Sequence, residues 1–204
     1  MKSITVFRTK EPIVIDGIMD GYWPKGETIT LDDKQRITGI SQKNSSATIN
    51  LAYDANFLYV YAHIRDESPM TNSFHGPDIW NGDGIEIFVG PENPDKGGTI
   101  RLKDRQIVLS ASKEKSAYHW YNNVSGQPAM PMVAKMDNDN KGYKIEAALP
   151  LSDLNITDVF KAKKIRFDIG FDNGDERQRN AQYMWNGLET NSHSREKWGI
   201  LVLN

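Results

Sequence analysis

Apolar and polar residues alternate with a period of two along most of this 204-residue chain, the signature of half-buried β-strands. Leu58, Val60, Ala62 and Ile64 share one face of a candidate strand, with Tyr59, Tyr61, His63 and Arg65 on the other. The pattern returns at Ile85, Ile87 and Val89 against Glu86 and Phe88, and at Tyr143, Ile145, Ala147 and Leu149 against Lys144 and Glu146. Phe167, Ile169 and Phe171 likewise oppose Arg166, Asp168 and Gly170. Residues 4–8, 12–15, 47–53, 99–102, 105–110, 130–136, 181–185 and 197–203 read as further strands. Turn chemistry separates them at Asp54-Ala55-Asn56, Asn81-Gly82-Asp83, Lys96-Gly97-Gly98, Asp137 to Gly142, and Asn173-Gly174. Helical signal is confined to residues 20–24 and 151–154. The expected fold is all-β: a two-sheet antiparallel β-sandwich, jelly-roll-like, with little helix, formed as a single domain over residues 1–204.

Composition removes several function classes. The chain has no cysteine, which excludes a Cys nucleophile, a Cys-ligated zinc, an iron–sulfur cluster and a disulfide framework. With 25 basic and 27 acidic side chains and a net charge of -2, it offers no basic field for nucleic acid or an anionic membrane. No apolar run approaches the roughly 18 residues that span a bilayer. The N-terminal stretch lacks the continuous apolar segment of a secretory signal, so an exported protein would be present here as a mature form or an excised domain. Small charge and no long apolar segment favour a monomer. The polar faces hold Tyr59, Tyr61, His63, Glu86, Phe88, Glu146, Arg166 and Asp168. They fit either a surface lattice of ion pairs or a concave face that hydrogen-bonds a polar ligand.

Five tryptophans sharpen the second reading. Trp198 opens an apolar terminal strand and is expected in or over the core, while Trp23 is expected to cap one end of the sandwich. Trp120 is undecided between an edge strand and a loop. Trp80 and Trp185 each begin the tripeptide Trp-Asn-Gly, at 80–82 and 185–187. Asn-Gly is a turn signal, so both indoles are expected at strand ends beside loops. Pyranose rings have apolar C–H faces that stack on such indoles, and hydroxyl edges that need fixed polar partners.

Other chemistry is poorly supported. Asp83 and Glu86 are three apart in a strand and so point to opposite faces, poor geometry for a glycosidase pair. His63, His75, His119 and His193 show no metal-binding spacing, and no serine stands in a G-x-S-x-G context. The run Asp137 to Gly142 opens like an EF-hand loop, but Lys141 replaces the fifth-position ligand and Ala148 the twelfth, leaving a polar hairpin turn.

Seven stretches taken together resemble family 9 carbohydrate-binding modules and the sandwiches related to them. They are IVIDGIMDGYW at 13–23, ATINLAYDANFLYVYAHIRDE at 47–67, IWNGDGIEIFVGP at 79–91, DRQIVLS at 104–110, GYKIEAALPLSDL at 142–154, IRFDIGFDNGDE at 165–176 and KWGILVL at 197–203. The resemblance implies a non-catalytic module that holds sugar units at glycan ends between two tryptophans, as an accessory domain of a secreted or cell-surface polysaccharide-degrading enzyme. By motif position the pair is Trp80 and Trp185, with Glu86 and Gln106 hydrogen-bonding the sugar. Val108 departs from the pattern, standing where a polar side chain would serve. Arg101 or Arg166 is the expected substitute, and Arg166 is counted with the site. Modules of this type often hold structural calcium, and Asp20, Asp66 and Asp83 close three of the motifs; Asx-turn work is the competing role. A neighbouring branch binds haem b for electron transfer, for which Met70, His75, Met130, Met132 and Met184 would be the axial candidates in surroundings that are polar. A structural module without a ligand is the third alternative.

Overall fold

A computed structural model describes residues 1–112, 117–120, 126, 129–175 and 177–204; the side chains of His119 and Trp120 lie outside the described residues. The strands in chain order are β1 (Ser3–Arg8), β2 (Ile29–Leu31), β3 (Arg36–Gly39), β4 (Ser46–Tyr53), β5 (Phe57–Arg65), β6 (Gly84–Gly90) and β7 (Arg105–Ser110). They continue with β8 (Ala117–Trp120), β9 (Met132–Met136), β10 (Gly142–Pro150), β11 (Lys164–Gly174), β12 (Arg179–Met184) and β13 (Gly199–Leu203). Helical structure among the described residues is limited to 3₁₀ turns at Asp33–Gln35, Gly76–Asn81 and Glu189–Ser192.

The first layer runs β8-β7-β6-β11-β13-β1, with β12 on the far half of β11 and β3 on β12. The second runs β1-β4-β5-β10-β9, with β2 on β4. One strand belongs to both: Ser3 to Val6 of β1 pair with β13, whereas Phe7 and Arg8 pair with β4. Both of those pairings are parallel, a local exception to an otherwise antiparallel ladder. The two layers are therefore one curled sheet joined through β1.

Period-two patterning builds the core directly. Ile85, Ile87 and Val89 of β6, Phe167, Ile169 and Phe171 of β11, and Tyr143, Ile145, Ala147 and Leu149 of β10 are fully buried between the layers. Apart from the single methyl of Ala147, each such side chain contributes about 1.5–3 kcal/mol of hydrophobic stabilisation.

The polar faces separate onto opposite sides of the molecule. Tyr59, Tyr61 and Ala148 lie on the outside of the second layer, covered by Ile13 and Trp23. Trp23 thus covers a sheet face and does not cap an end. Its Nε1 donates to Glu146 Oε1 at 3.3 Å, and the backbone N–H groups of Asp16 and Gly17 donate to Glu146 Oε2. Residues 12–15 make no ladder; they begin this covering segment, and their apolar alternation comes from packing Ile13 and Ile15 on the tyrosines. Of residues 99–102, Thr99 makes an isolated bridge to Ser194. Glu86, Phe88 and Asp168 lie on the outside of the first layer, where loops cover them.

Candidate functional site

Directly opposed residues of an antiparallel pair share a face. The register therefore places Glu86 in a row with Val108 and Gly170, Phe88 with Gln106 and Asp168, and Gly84 with Asp172, itself opposite Gln182. Over these rows lies a basin of about 550 Å³, within the ordinary range for a small-molecule site. Glu86, Gln106, Gln182 and Phe88 form its floor, Trp80 and Arg179 one wall, and Glu189, Asn191, Ser192 and His193 another.

The floor is a bound carboxyl. Gln106 donates an amide N–H to Glu86 Oε1, and Gln182 donates one to Glu86 Oε2. Burial pushes Glu86 up to about 8; neighbouring Asp172 adds to the rise, while Arg179 and the Gln106 bond oppose it. Asp172 is pushed up to about 6 by burial against the pull of Arg179. A floor of this kind offers side-chain amides and a carboxyl to hydroxyl groups.

Both walls are pinned by an asparagine packed across a glycine. Asn72 Nδ2 donates to the carbonyls of Ile79 and Asp83 at 2.9 and 2.8 Å, and a Cβ on Gly82 would lie 2.5 Å from Asn72 Cγ. Asp83 accepts the N–H groups of Thr71 and Gly174. Together they fix the loop that carries Trp80. In the second wall, Asn191 Nδ2 donates to Asp168 Oδ2 at 2.9 Å, and a Cβ on Gly187 would meet the Asn191 side chain at 2.1 Å. Burial pushes Asp168 up to about 7, partly offset by the Asn191 bond. The glycine of each Trp-Asn-Gly tripeptide thus clears space for an asparagine.

The two tryptophans have different surroundings. Trp80 is 36% exposed and lines the basin. Trp185 is 8% exposed and belongs, with Ala181 and Tyr183, to the core between the layers. Its ring centroid is 6.4 Å from that of Phe167, and a Cβ on Gly199 would meet its Cζ3 at 2.5 Å. Its small exposed edge borders a separate hollow beside Lys2, Ile4 and Glu27. The reason is parity: Gln182 and Met184 turn toward the basin side of β12, so Trp185 turns inward. A clamp made of both indoles is therefore not what the fold assembles.

Trp80, Glu86 and Gln106 come together; Arg166 does not join them. Its guanidinium donates to the carbonyls of Arg195 and Glu196 at 3.1 and 3.0 Å, in another hollow. Val108 is fully buried beside Glu86. Gln182 and Arg179 went unrecognised in the sequence, although Gln182 alternates with Ala181 and Tyr183 as an outward residue should. The turn Glu189–Ser192 carries no motif, and only the fold brings it across the floor.

Among the described residues, no three His, Asp or Glu side chains converge as a metal-binding group. Asp20 is apart from the other two candidates, its Oδ1 accepting the Tyr22 N–H at 2.7 Å. Asp66 and Asp83 do adjoin. Asp83 is raised well above the carboxylate range by burial first and by the neighbouring Asp66 carboxyl next. Of the haem candidates, Met70, Met130 and Met132 pack on the main core, whereas Met184 lies with Phe88 and Trp198 on the opposite face of the first layer.

The sequence matches the family described as carbohydrate family 9 binding domain-like over residues 15–204. It is 30% identical over 192 residues to endo-1,4-beta-xylanase A of Thermotoga maritima, covering 93% of this chain and 17% of that protein. Identity to endo-1,4-beta-xylanase C of Paenibacillus barcinonensis is 28% over 193 residues, covering 93% and 16%. The chain thus spans about one-sixth of these relatives' length. Among solved structures, a family 9 carbohydrate-binding module from Caldicellulosiruptor kristjanssonii in complex with cellotriose superposes with a TM-score of 0.69 at 23% identity, covering 100% of this chain and 94% of the other. A family 9 module from the same organism in complex with glucose gives 0.70 at 23%, covering 98% and 95%.

Proposed function

The chain belongs to the family 9 carbohydrate-binding domains, a family of non-catalytic binding modules, and on that premise we propose that the basin holds a terminal sugar ring stacked on Trp80. One observation carries this reading: a half-open indole stands beside a floor of one carboxyl and two amides, all in a single basin. Stacking takes an apolar C–H face of the ring, and Glu86, Gln106 and Gln182 take its hydroxyl edge. The stacking is one-sided, because the second wall is the polar turn around Ser192 and His193. Glucose, cello-oligosaccharides and xylo-oligosaccharides are the ligands to test first. Related modules are described in complex with glucose and cellotriose, and the relatives as endo-1,4-beta-xylanases. The same kinship supports a role as a secreted accessory domain in polysaccharide degradation.

Calcium belongs to the same proposal. Asp66 and Asp83 are the pair that would hold a hard cation, two adjacent buried carboxyl groups whose mutual repulsion it would relieve. Asp20 is outside the set. Bound calcium would neutralise that pair beneath the Trp80 loop, where Asp83 already fixes the backbone.

Calorimetric titration with glucose, cellobiose, xylobiose and their reduced-end forms tests the sugar reading. Saturable one-site binding is expected, weakened by reduction of the terminal ring. Trp80→Ala should cost about 2–3 kcal/mol of binding, roughly a 30- to 150-fold loss, with the fold intact. Parent-like affinity in Trp80→Ala would remove the basin from consideration.

A further inference from the structure

One cation stands between the aromatic wall and the carboxyls of the floor. Arg179 opens β12, and its Cζ lies 4.7 Å from the Trp80 ring centroid, inside the roughly 6 Å over which a guanidinium is attracted to an indole face. Its NH1 donates to Asp172 Oδ1 at 3.0 Å and lies 3.9 Å from Glu86 Oε2. Its backbone N–H donates to Asn81 Oδ1 at 3.0 Å, tying the start of β12 to the residue beside Trp80. Arg179 also lines, again with Trp80, a smaller groove of about 150 Å³ beside the basin.

We infer that Arg179 is a positioning residue for sugar binding: paired to Asp172 and stacked on Trp80, it sets the plane of the indole over the Glu86 floor. The inference rests on the reading of the basin as a sugar site and gives Arg179 a role that acts through Trp80. Trp80 rides on the short 3₁₀ turn Gly76–Asn81, whose buried anchor is Ile79. An exposed indole with no fixed neighbour samples several rotamers, and the entropy of ordering it subtracts from affinity. The Arg179 stack orders it before the ligand arrives. Planarity is needed as well as charge, because lysine can pair with Asp172 but cannot lay a flat face on the ring.

The test uses Arg179→Gln, Arg179→Lys and Trp80→Phe, with glucose and cellobiose titration, thermal melts, and acrylamide quenching of tryptophan fluorescence without sugar. Both arginine variants should bind sugar about 3- to 30-fold more weakly, the range of a partly desolvated cation–aromatic contact. Arg179→Gln should also raise the quenchable fraction, and that rise should vanish when Trp80→Phe removes the reporting indole. A role confined to general stability would lower the melt without moving that difference. If Arg179→Gln fails to fold, Arg179→Lys decides: a parent-like melt with weakened binding supports the inference, and parent-like binding overturns it. Unchanged quenching in the folded variants also overturns it. Should the parent bind no sugar, the functional reading falls, while the quenching comparison still decides whether Arg179 holds Trp80.

Discussion

Replacing Trp185 with alanine separates the observed fold from a two-tryptophan clamp. A tryptophan side chain buries about 150–250 Å² on folding, and at about 25 cal/mol per Å² that is worth roughly 4–6 kcal/mol. Trp185 is 8% exposed, so nearly all of this is at stake, and alanine recovers only a small part. The site has little freedom to collapse. The indole lies over Gly199, and β13 is held in place by β11 on one side and β1 on the other. The expected cost is therefore in the upper half of the range for aromatic truncation, about 4–5 kcal/mol. In a domain of this size that lowers the melting temperature by about 8–20 °C. Urea and thermal melts of Trp185→Ala, run beside Trp80→Ala, provide the measurement. Trp80→Ala should melt within a few degrees of the parent and lose sugar. Trp185→Ala should melt early and, while folded, keep its affinity. The reverse outcome, a parent-like melt with lost binding in Trp185→Ala, would place that indole against the ligand and refute the parity argument.

Stability should fall as pH rises from about 4.5 to about 8, because Glu86, Asp168 and Asp172 are all raised by burial and the folded state keeps protons that the unfolded chain releases. Glu86→Gln should flatten the profile up to about pH 8; urea midpoints that are flat with pH, or unchanged in slope by the substitution, would contradict this. Calcium should raise the melting temperature and chelator lower it, through binding to the folded state, with the response lost in Asp66→Asn and kept in Asp20→Asn. An Asp66→Asn protein that still responds would move the ion elsewhere.

What the sequence determined by itself was the local part. Period two at Leu58 to Ile64, Tyr143 to Leu149 and Phe167 to Phe171 assigns each side chain to a face, and the large apolar members can go only into a core. Turn chemistry likewise placed the Asp137 to Gly142 hairpin between β9 and β10. Motif position grouped Trp80, Glu86 and Gln106; the register of β6 with β7 puts Glu86 and Gln106 on one face, and the turn before β6 brings Trp80 to the same basin. Alternation says which residues share a face of their own strand, but not which sheet that face belongs to. For that reason Tyr59 and Glu146 ended on the opposite side of the molecule from Glu86 and Asp168.

The two Trp-Asn-Gly tripeptides mark the same boundary. Both read alike in one dimension, and in both the glycine admits an asparagine. Yet one indole faces the basin and the other the core, because Trp185 continues the inward parity of β12 while Trp80 stands on a turn outside any ladder. Arg179 and the Glu189–Ser192 turn were equally hidden. Their partners, Asp172, Trp80 and Asp168, are 7 to 99 residues away, and no local pattern records a contact that only the pairing of β11, β12 and β6 creates.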